Sequence, residues 1–342
     1  METNNTTKCF FLTSVELSHT GGVFIAEIIC CAVNSVLALV ATLCNILVIL
    51  VIWKSPSLHS PSNVLICCLA GSDLVIGLLA QPMLVTYKIA EFEDSADTAC
   101  IGRLIHWIAG FVSAGVSVMT IAAISVDKGL AFYLHLRYRE VVTVSRVLKV
   151  VFAFWFFCLT AAVSLFVANS DRYWTLVPIP VLGVCLTATF VAYIKVFGVL
   201  RRHRNQIRAQ TRSAWIGVNM RKYKKSVITM VYVLMLFLVC YTPFLTAMAV
   251  RVLVGYSSSV KIAYEWGATV VYLNSSLNPL LYWFRMQEIR LATYSAIRKL
   301  QGNARESKIL SKVYKFSLNN DGFNNESVLG QSRMDFSQAT KT

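Results

Sequence analysis

Seven long stretches of mostly apolar residues constrain this chain more than any other feature. They run over 23–53, 61–88, 100–126, 144–168, 173–200, 226–254 and 262–284. Each has about 20 or more residues, enough to cross ~30 Å of hydrocarbon at ~1.5 Å per residue of helix. Inside lipid the backbone must satisfy its own hydrogen bonds, so such stretches become helices. The composition agrees: 56% of the 342 residues are hydrophobic and only 14% charged, where a soluble domain carries about 25% charge. The expected fold is an all-α membrane protein, a seven-transmembrane helix bundle. A short amphipathic helix follows the seventh span at 285–300, where Ile289, Tyr294 and Ile297 can lie on lipid while Arg290, Arg298 and Lys299 face headgroups.

A formal charge of +15 would suit nucleic acid, but its distribution excludes that partner. The Lys and Arg residues sit in alternate loops: Lys54, then Lys128 to Arg146, then Arg201 to Lys225, then the tail after Arg285. The other loops hold Lys88, Arg172 and Lys261 beside the acids Glu91, Glu93, Asp94 and Asp97. The positive-inside rule makes the first set cytoplasmic and the N-terminus extracellular. The chain divides into an extracellular N-terminus (1–22), the bundle (23–284), the membrane-surface helix (285–300) and a disordered cytoplasmic tail (301–342). Asn4 and Asn5 head overlapping glycosylation sequons on the extracellular side. Of ten cysteines, most fall inside apolar stretches and read as small packing residues. Cys9 and Cys100, the latter opening the third span, are the cysteines placed on the outer side, where they can pair or stand as free thiols.

Polar residues inside a bilayer are expensive and point to function. Asp73, Asn45, Ser117, Asn274, Ser275 and Asn278 lie within spans. Their oxygens could hold a small hydrated cation, or they could form a hydrogen-bonded network that fixes helix packing; the two are compatible. Pro243 and Pro279 interrupt the sixth and seventh spans and kink them. Asp73 reads as the one deep charge. Without inverted repeats, that weighs against a transporter or channel, which stays the alternative. No metal-ligand spacing or nucleophile constellation suggests an enzyme.

Asn45, Asp73, Trp155, Cys240 with Pro243, and Asn278 with Pro279 and Tyr282 stand in successive spans, in the order and depth that resemble the rhodopsin-like (class A) G-protein-coupled receptors. The resemblance covers 23–300. It implies an extracellular ligand, a heterotrimeric G protein, receptor kinases and arrestin as partners, and a plasma-membrane, multi-pass location. It also implies a sodium site at Asp73, Ser117, Asn274 and Asn278, with no cofactor required. G-protein coupling falls to Asp127, Lys128, Tyr193 and Tyr282. Departures are plain. The family's Asp-Arg-Tyr reads Asp127, Lys128, Gly129, and lysine offers a point charge where arginine offers a planar fork. Tyr241 replaces the family's tryptophan, and Cys185 stands where the fifth helix usually has proline. The usual third-helix cysteine is Arg103, and the loop from Asn169 to Trp174 is short and lacks cysteine. That combination is similar to the melanocortin, cannabinoid and lysophospholipid receptors, and the second inner loop also resembles the melanocortin and adenosine receptors.

The resemblance bears on ligand class through what is missing. Gly110 stands where aminergic receptors place aspartate, and no lysine in the seventh span could form a retinal Schiff base. Met83, Arg103 and Trp107 stand where melanocortin receptors place a carboxylate cluster, and Met248 replaces the adenosine receptors' amide. The expected pocket comprises Met83, Tyr87, Arg103, His106, Trp107, Gly110, Tyr241, Phe244, Met248, Arg251, Trp266 and Tyr272, mostly apolar. Lys88, Arg103 and Arg251 are expected as cations at its mouth. This favours an amphiphilic anion such as a lipid, or a peptide, over a monoamine. The alternative within the class is a receptor-like protein with weak or no G-protein signalling.

Overall fold

The computed structural model describes residues 6–9, 12–15, 21–134, 137–168, 183–185, 187, 190–191, 194, 214–255 and 257–300. Asn4, Asn5, Tyr193, most of the fifth span, much of the third inner loop and the 301–342 tail lie outside them.

The described chain is nearly all helix. A two-stranded antiparallel hairpin, β1 (Thr6–Cys9) and β2 (Leu12–Val15), precedes it. The helices are α1 (Gly21–Lys54), α2 (Pro61–Val75), α3 (Gln81–Phe92), α4 (Ala96–Leu134), α5 (Tyr138–Val141), α6 (Val144–Ala168), α7 (Ala214–Val254), α8 (Ser258–Arg285) and α9 (Gln287–Leu300). The span expected at 100–126 is thus only the middle of the longer α4, and the span expected at 226–254 is the C-terminal part of α7, which begins at Ala214 and ends with it at Val254. The hairpin departs from an all-α expectation, because residues 1–22 carry no apolar periodicity to announce it.

Among the described residues, five helices are long and apolar enough to cross a membrane. α8 has the length, but Lys261, Glu265, Asn274, Ser275, Ser276 and Asn278 dilute its hydropathy. All six are buried, so these polar groups face protein, the condition under which lipid tolerates them. Leu39, Leu43, Phe152, Phe156 and Val163 are exposed instead; in a bilayer such side chains face acyl chains.

Local sequence explains the breaks. Pro61 opens α2 in its first turn, and the Ser60 hydroxyl accepts from the Asn63 N–H. Between α2 and α3 the second span winds as a π-turn over Ile76–Ala80, just before Pro82, whose missing N–H breaks the ordinary ladder. α1 packs tightly here: a Cβ on Gly77 would stand 2.7 Å from Thr42 Oγ1. Ser257 caps α8 by accepting from the Val260 N–H. The main core joins α1, α2, α4, α7 and α8 around Leu69, Ile76, Phe237 and Tyr282, all at most 2% exposed.

Candidate functional site

Three polar assemblies and one apolar cavity are stacked along the bundle. The first is at mid-depth. Pro279 cannot donate to the carbonyl one turn back, that of Ser275. Asn45 Nδ2 fills that place, donating to Ser275 O at 3.0 Å and to Ala41 O at 2.8 Å. Asn278 Nδ2 donates to Asp73 Oδ2 at 2.9 Å, Ser117 Oγ lies 3.5 Å from Asp73 Oδ1, and Ser72 and Ser117 share a 2.9 Å bond. Asp73 and Asn278 are fully buried. The Asn274 and Asn278 Oδ1 atoms are buried and accept no hydrogen bond. Asp73, Ser117, Asn274 and Asn278 thus offer a carboxylate, a hydroxyl and two uncommitted amide oxygens, a donor set that suits a hard cation.

The second assembly is at the end of α4 remote from the hairpin. Asp127 Oδ1 accepts from the Tyr138 hydroxyl at 2.6 Å, Asp127 Oδ2 accepts from Ser62 Oγ, and Lys128 Nζ lies 3.7 Å from Asp127 Oδ2. The carboxylate thereby ties α4 to α2 and α5. Tyr282 is fully buried and its hydroxyl makes no hydrogen bond, so it does not engage Lys128 in this arrangement.

The third assembly is at the hairpin end, and it corrects the sequence reading. Lys88 is not a cation at an open mouth. It is 0% exposed, with Nζ 2.6 Å from Glu27 Oε1, 2.6 Å from Glu265 Oε2 and 3.6 Å from Glu91 Oε2. Lys261 pairs with Glu91 at 3.1 Å, and the Tyr87 hydroxyl donates to Glu265 at 3.2 Å. Asp73 is therefore not the one charge buried in the bundle. Glu27, Lys88 and Glu265 join it, because α1, α3 and α8 bring their ends together at the same level. A signal existed: one acid or base near the same end of the first, second and seventh spans, of balancing sign.

The apolar cavity lies between α4, α6, α7 and α8, with a volume of about 130 Å³. Of the expected pocket residues, His106, Trp107, Gly110, Tyr241, Phe244 and Tyr272 line it, together with Phe111, Phe157, Cys158, Tyr264 and Ala268. The structure places the others elsewhere. Tyr87 is held on Glu265, and Met248 lies under the hairpin. Trp266 packs on the main core. Met83, Arg103 and Arg251 do not face the cavity. Arg103 Nε and Nη1 are buried without a hydrogen bond. His106 Nδ1 lies 2.8 Å from the Ala80 carbonyl, which can only accept, so Nδ1 carries the proton. Its ring stands edge-on to Tyr272 at 5.8 Å.

Gly110 has a steric reason. A Cβ there would stand 2.5 Å from the Tyr272 hydroxyl, well inside contact distance, so any side chain at 110 must displace the Tyr272 ring. Gly110→Ala is expected to displace the Tyr272 ring and lower thermal stability by about 1–3 kcal/mol. Gly110→Ala combined with Tyr272→Phe should recover most of the loss in a thermal-denaturation assay. No recovery would show that the hydroxyl is not the obstacle.

Comparison with known proteins agrees with this layout. The model of the family "7 transmembrane receptor (rhodopsin family)" matches residues 44–173 and 168–282. Melanocortin receptor 5 of Mus musculus is 26% identical over 280 residues, covering 80% of this chain and 85% of that protein. Melanocortin receptor 4 of Danio rerio is 28% identical over 263 residues, 74% of this chain and 79% of its own. These relatives are receptors and not enzymes, and they place the protein in the plasma membrane as a multi-pass chain. With most of its length matched, from the first span to Tyr282, the chain belongs to the rhodopsin family of G-protein-coupled receptors, related to its melanocortin group.

Proposed function

We propose that the hairpin end faces the outside of the cell and that the cavity there receives the ligand. The observation that carries this is the cavity's position. Tyr241 forms its floor and stacks on Phe237 at 4.0 Å between ring centroids. Tyr241 lies two residues before Pro243, where α7 lacks a backbone hydrogen bond. A ligand pressing on Tyr241 acts on the joint about which the α7 segment below Pro243 would swing. Ligand binding then shifts the population toward an arrangement whose cytoplasmic face accepts a heterotrimeric G protein at Asp127, Lys128, Tyr193 and Tyr282. Receptor kinases and arrestin would act on the 301–342 tail, and α9 would rest on the inner leaflet of the bilayer.

The lining narrows the ligand. It is aromatic and aliphatic, its polar groups being His106, Trp107 and the hydroxyls of Tyr241, Tyr264 and Tyr272. A slim apolar ring or chain fits, as in a lipid or one hydrophobic peptide side chain. A protonated amine finds no carboxylate on these walls. An anionic head would have to reach past the lining to Arg103, one helical turn beyond Trp107 on α4. The buried orphan nitrogens of Arg103 favour that choice.

Asp73, Ser117, Asn274 and Asn278 would hold an allosteric sodium ion, supplying positive charge to a carboxylate that otherwise lies buried without a cation. Asp73→Asn is expected to abolish the sodium dependence of thermal stability, read as a melting-temperature difference between sodium and choline buffers. An unchanged sodium effect would remove these residues from the ion's site.

Ligand-dependent nucleotide exchange on a panel of G proteins, with the full chain in nanodiscs and a library of neutral and anionic lipids and peptides, tests the whole reading. Silence across the panel together with ion flux would overturn it in favour of a channel or transporter.

A further inference from the structure

The N-terminal hairpin is fastened to the bundle at two points. Cys9, at the end of β1, is bonded to Cys100 in the second turn of α4, with Cα atoms 5.5 Å apart. Across the turn, Cys9 faces Leu12 in the strand register. Leu12 is only 5% exposed and clusters with Trp107 and Met248, edged by Phe111, Phe244 and Tyr264. Trp107, Phe111, Phe244 and Tyr264 also line the apolar cavity. β2 lies against α8, so the hairpin touches helices on both sides of the cavity. Leu12, which ends the apolar run Cys9-Phe10-Phe11-Leu12 of the extension, is thus buried against the walls of the candidate ligand site, and a covalent bond three residues away keeps it there.

We propose that the hairpin is a built-in stopper: Leu12 closes the hairpin end of the cavity, and a ligand enters only when Leu12 is lifted. The disulfide sets the tether, so the stopper leaves its seat without leaving the receptor. The proposal rests on the cavity being the ligand site, but its test does not.

Cys158 supplies a native reporter, since it lines the cavity and is 4% exposed. The full chain in nanodiscs is treated with a charged, membrane-impermeant methanethiosulfonate. Modification of Cys158 is followed by peptide mass mapping, with Cys67 of α2 as an internal reference. Leu12→Ala is expected to raise the Cys158 rate about tenfold over the native chain, with Cys67 unchanged, while Leu12→Met stays near native. The Cys9→Ser, Cys100→Ser double variant should also raise the Cys158 rate. An unchanged Cys158 rate in Leu12→Ala, or a rise shared equally by Cys67, overturns the proposal. Faster Cys158 labelling in a receptor that answers no ligand in the exchange assay would leave the stopper standing and remove the ligand-site reading.

Discussion

Lys88→Met will destabilise the receptor by about 3–5 kcal/mol, the usual cost of breaking a buried ion pair from one side. Methionine keeps much of the stem's apolar bulk but removes the ammonium that Glu27, Glu91 and Glu265 share. Three carboxylates from α1, α3 and α8 are then left together with Lys261 as their remaining close lysine. They must protonate, repel or draw water into the bundle. In a chain of this size the melting temperature should fall by about 4–7 °C, with a matching loss of surface expression. The diagnostic is rescue. Lys88→Met with Glu27→Gln and Glu265→Gln lowers the uncompensated charge and should regain most of the loss. A single variant as stable as the native chain, or a triple variant no better than the single, would show that the cage does not hold these helix ends together.

At the opposite end, Asp127→Asn is expected to raise basal nucleotide exchange about fivefold, a population shift of roughly 1 kcal/mol. The Asp127 carboxylate accepts from Tyr138 and Ser62 and attracts Lys128. Asparagine keeps the shape, removes the charge and replaces one acceptor with a donor. It loosens α4 from α2 and α5 and releases Lys128 from its carboxylate partner. Exchange is measured without ligand, per receptor at the surface. A basal rate equal to native, at equal expression, would mean that this lock does not set the resting state. It would also favour a receptor-like protein that signals weakly.

Much of this architecture was open to reading in one dimension because lipid imposes strong rules. A helix crossing a bilayer must be long and apolar, so five described spans announce themselves. The fourth begins and ends where expected, Val144–Ala168. Polar residues in lipid are rare enough to mark partners: Asp73, Asn45 and Asn278 were singled out by cost alone, and Asn278 bonds Asp73 while Asn45 bonds the backbone of Ser275. Proline made the Ser275 carbonyl an orphan in principle, and Asn45 is the group that answers it.

Other features had no local signature. Lys88, with its stem at the end of an apolar stretch, reads as a side chain snorkelling to the surface. Only the convergence of α1, α3 and α8 turns it inward, where its three acids lie 61, 3 and 177 positions away in sequence. Gly110 shows an absence of side chain but not its cause, which is a tyrosine hydroxyl from another helix. Leu12 ends a short apolar run, Phe10-Phe11-Leu12, but the run does not say which helices cover it. The chemistry of the spans was therefore fixed by the sequence itself, through the free energy of each residue in lipid. Which charges cancel, which wall lines the cavity and what closes it depended on contacts between distant residues, and those exist only once the helices pack.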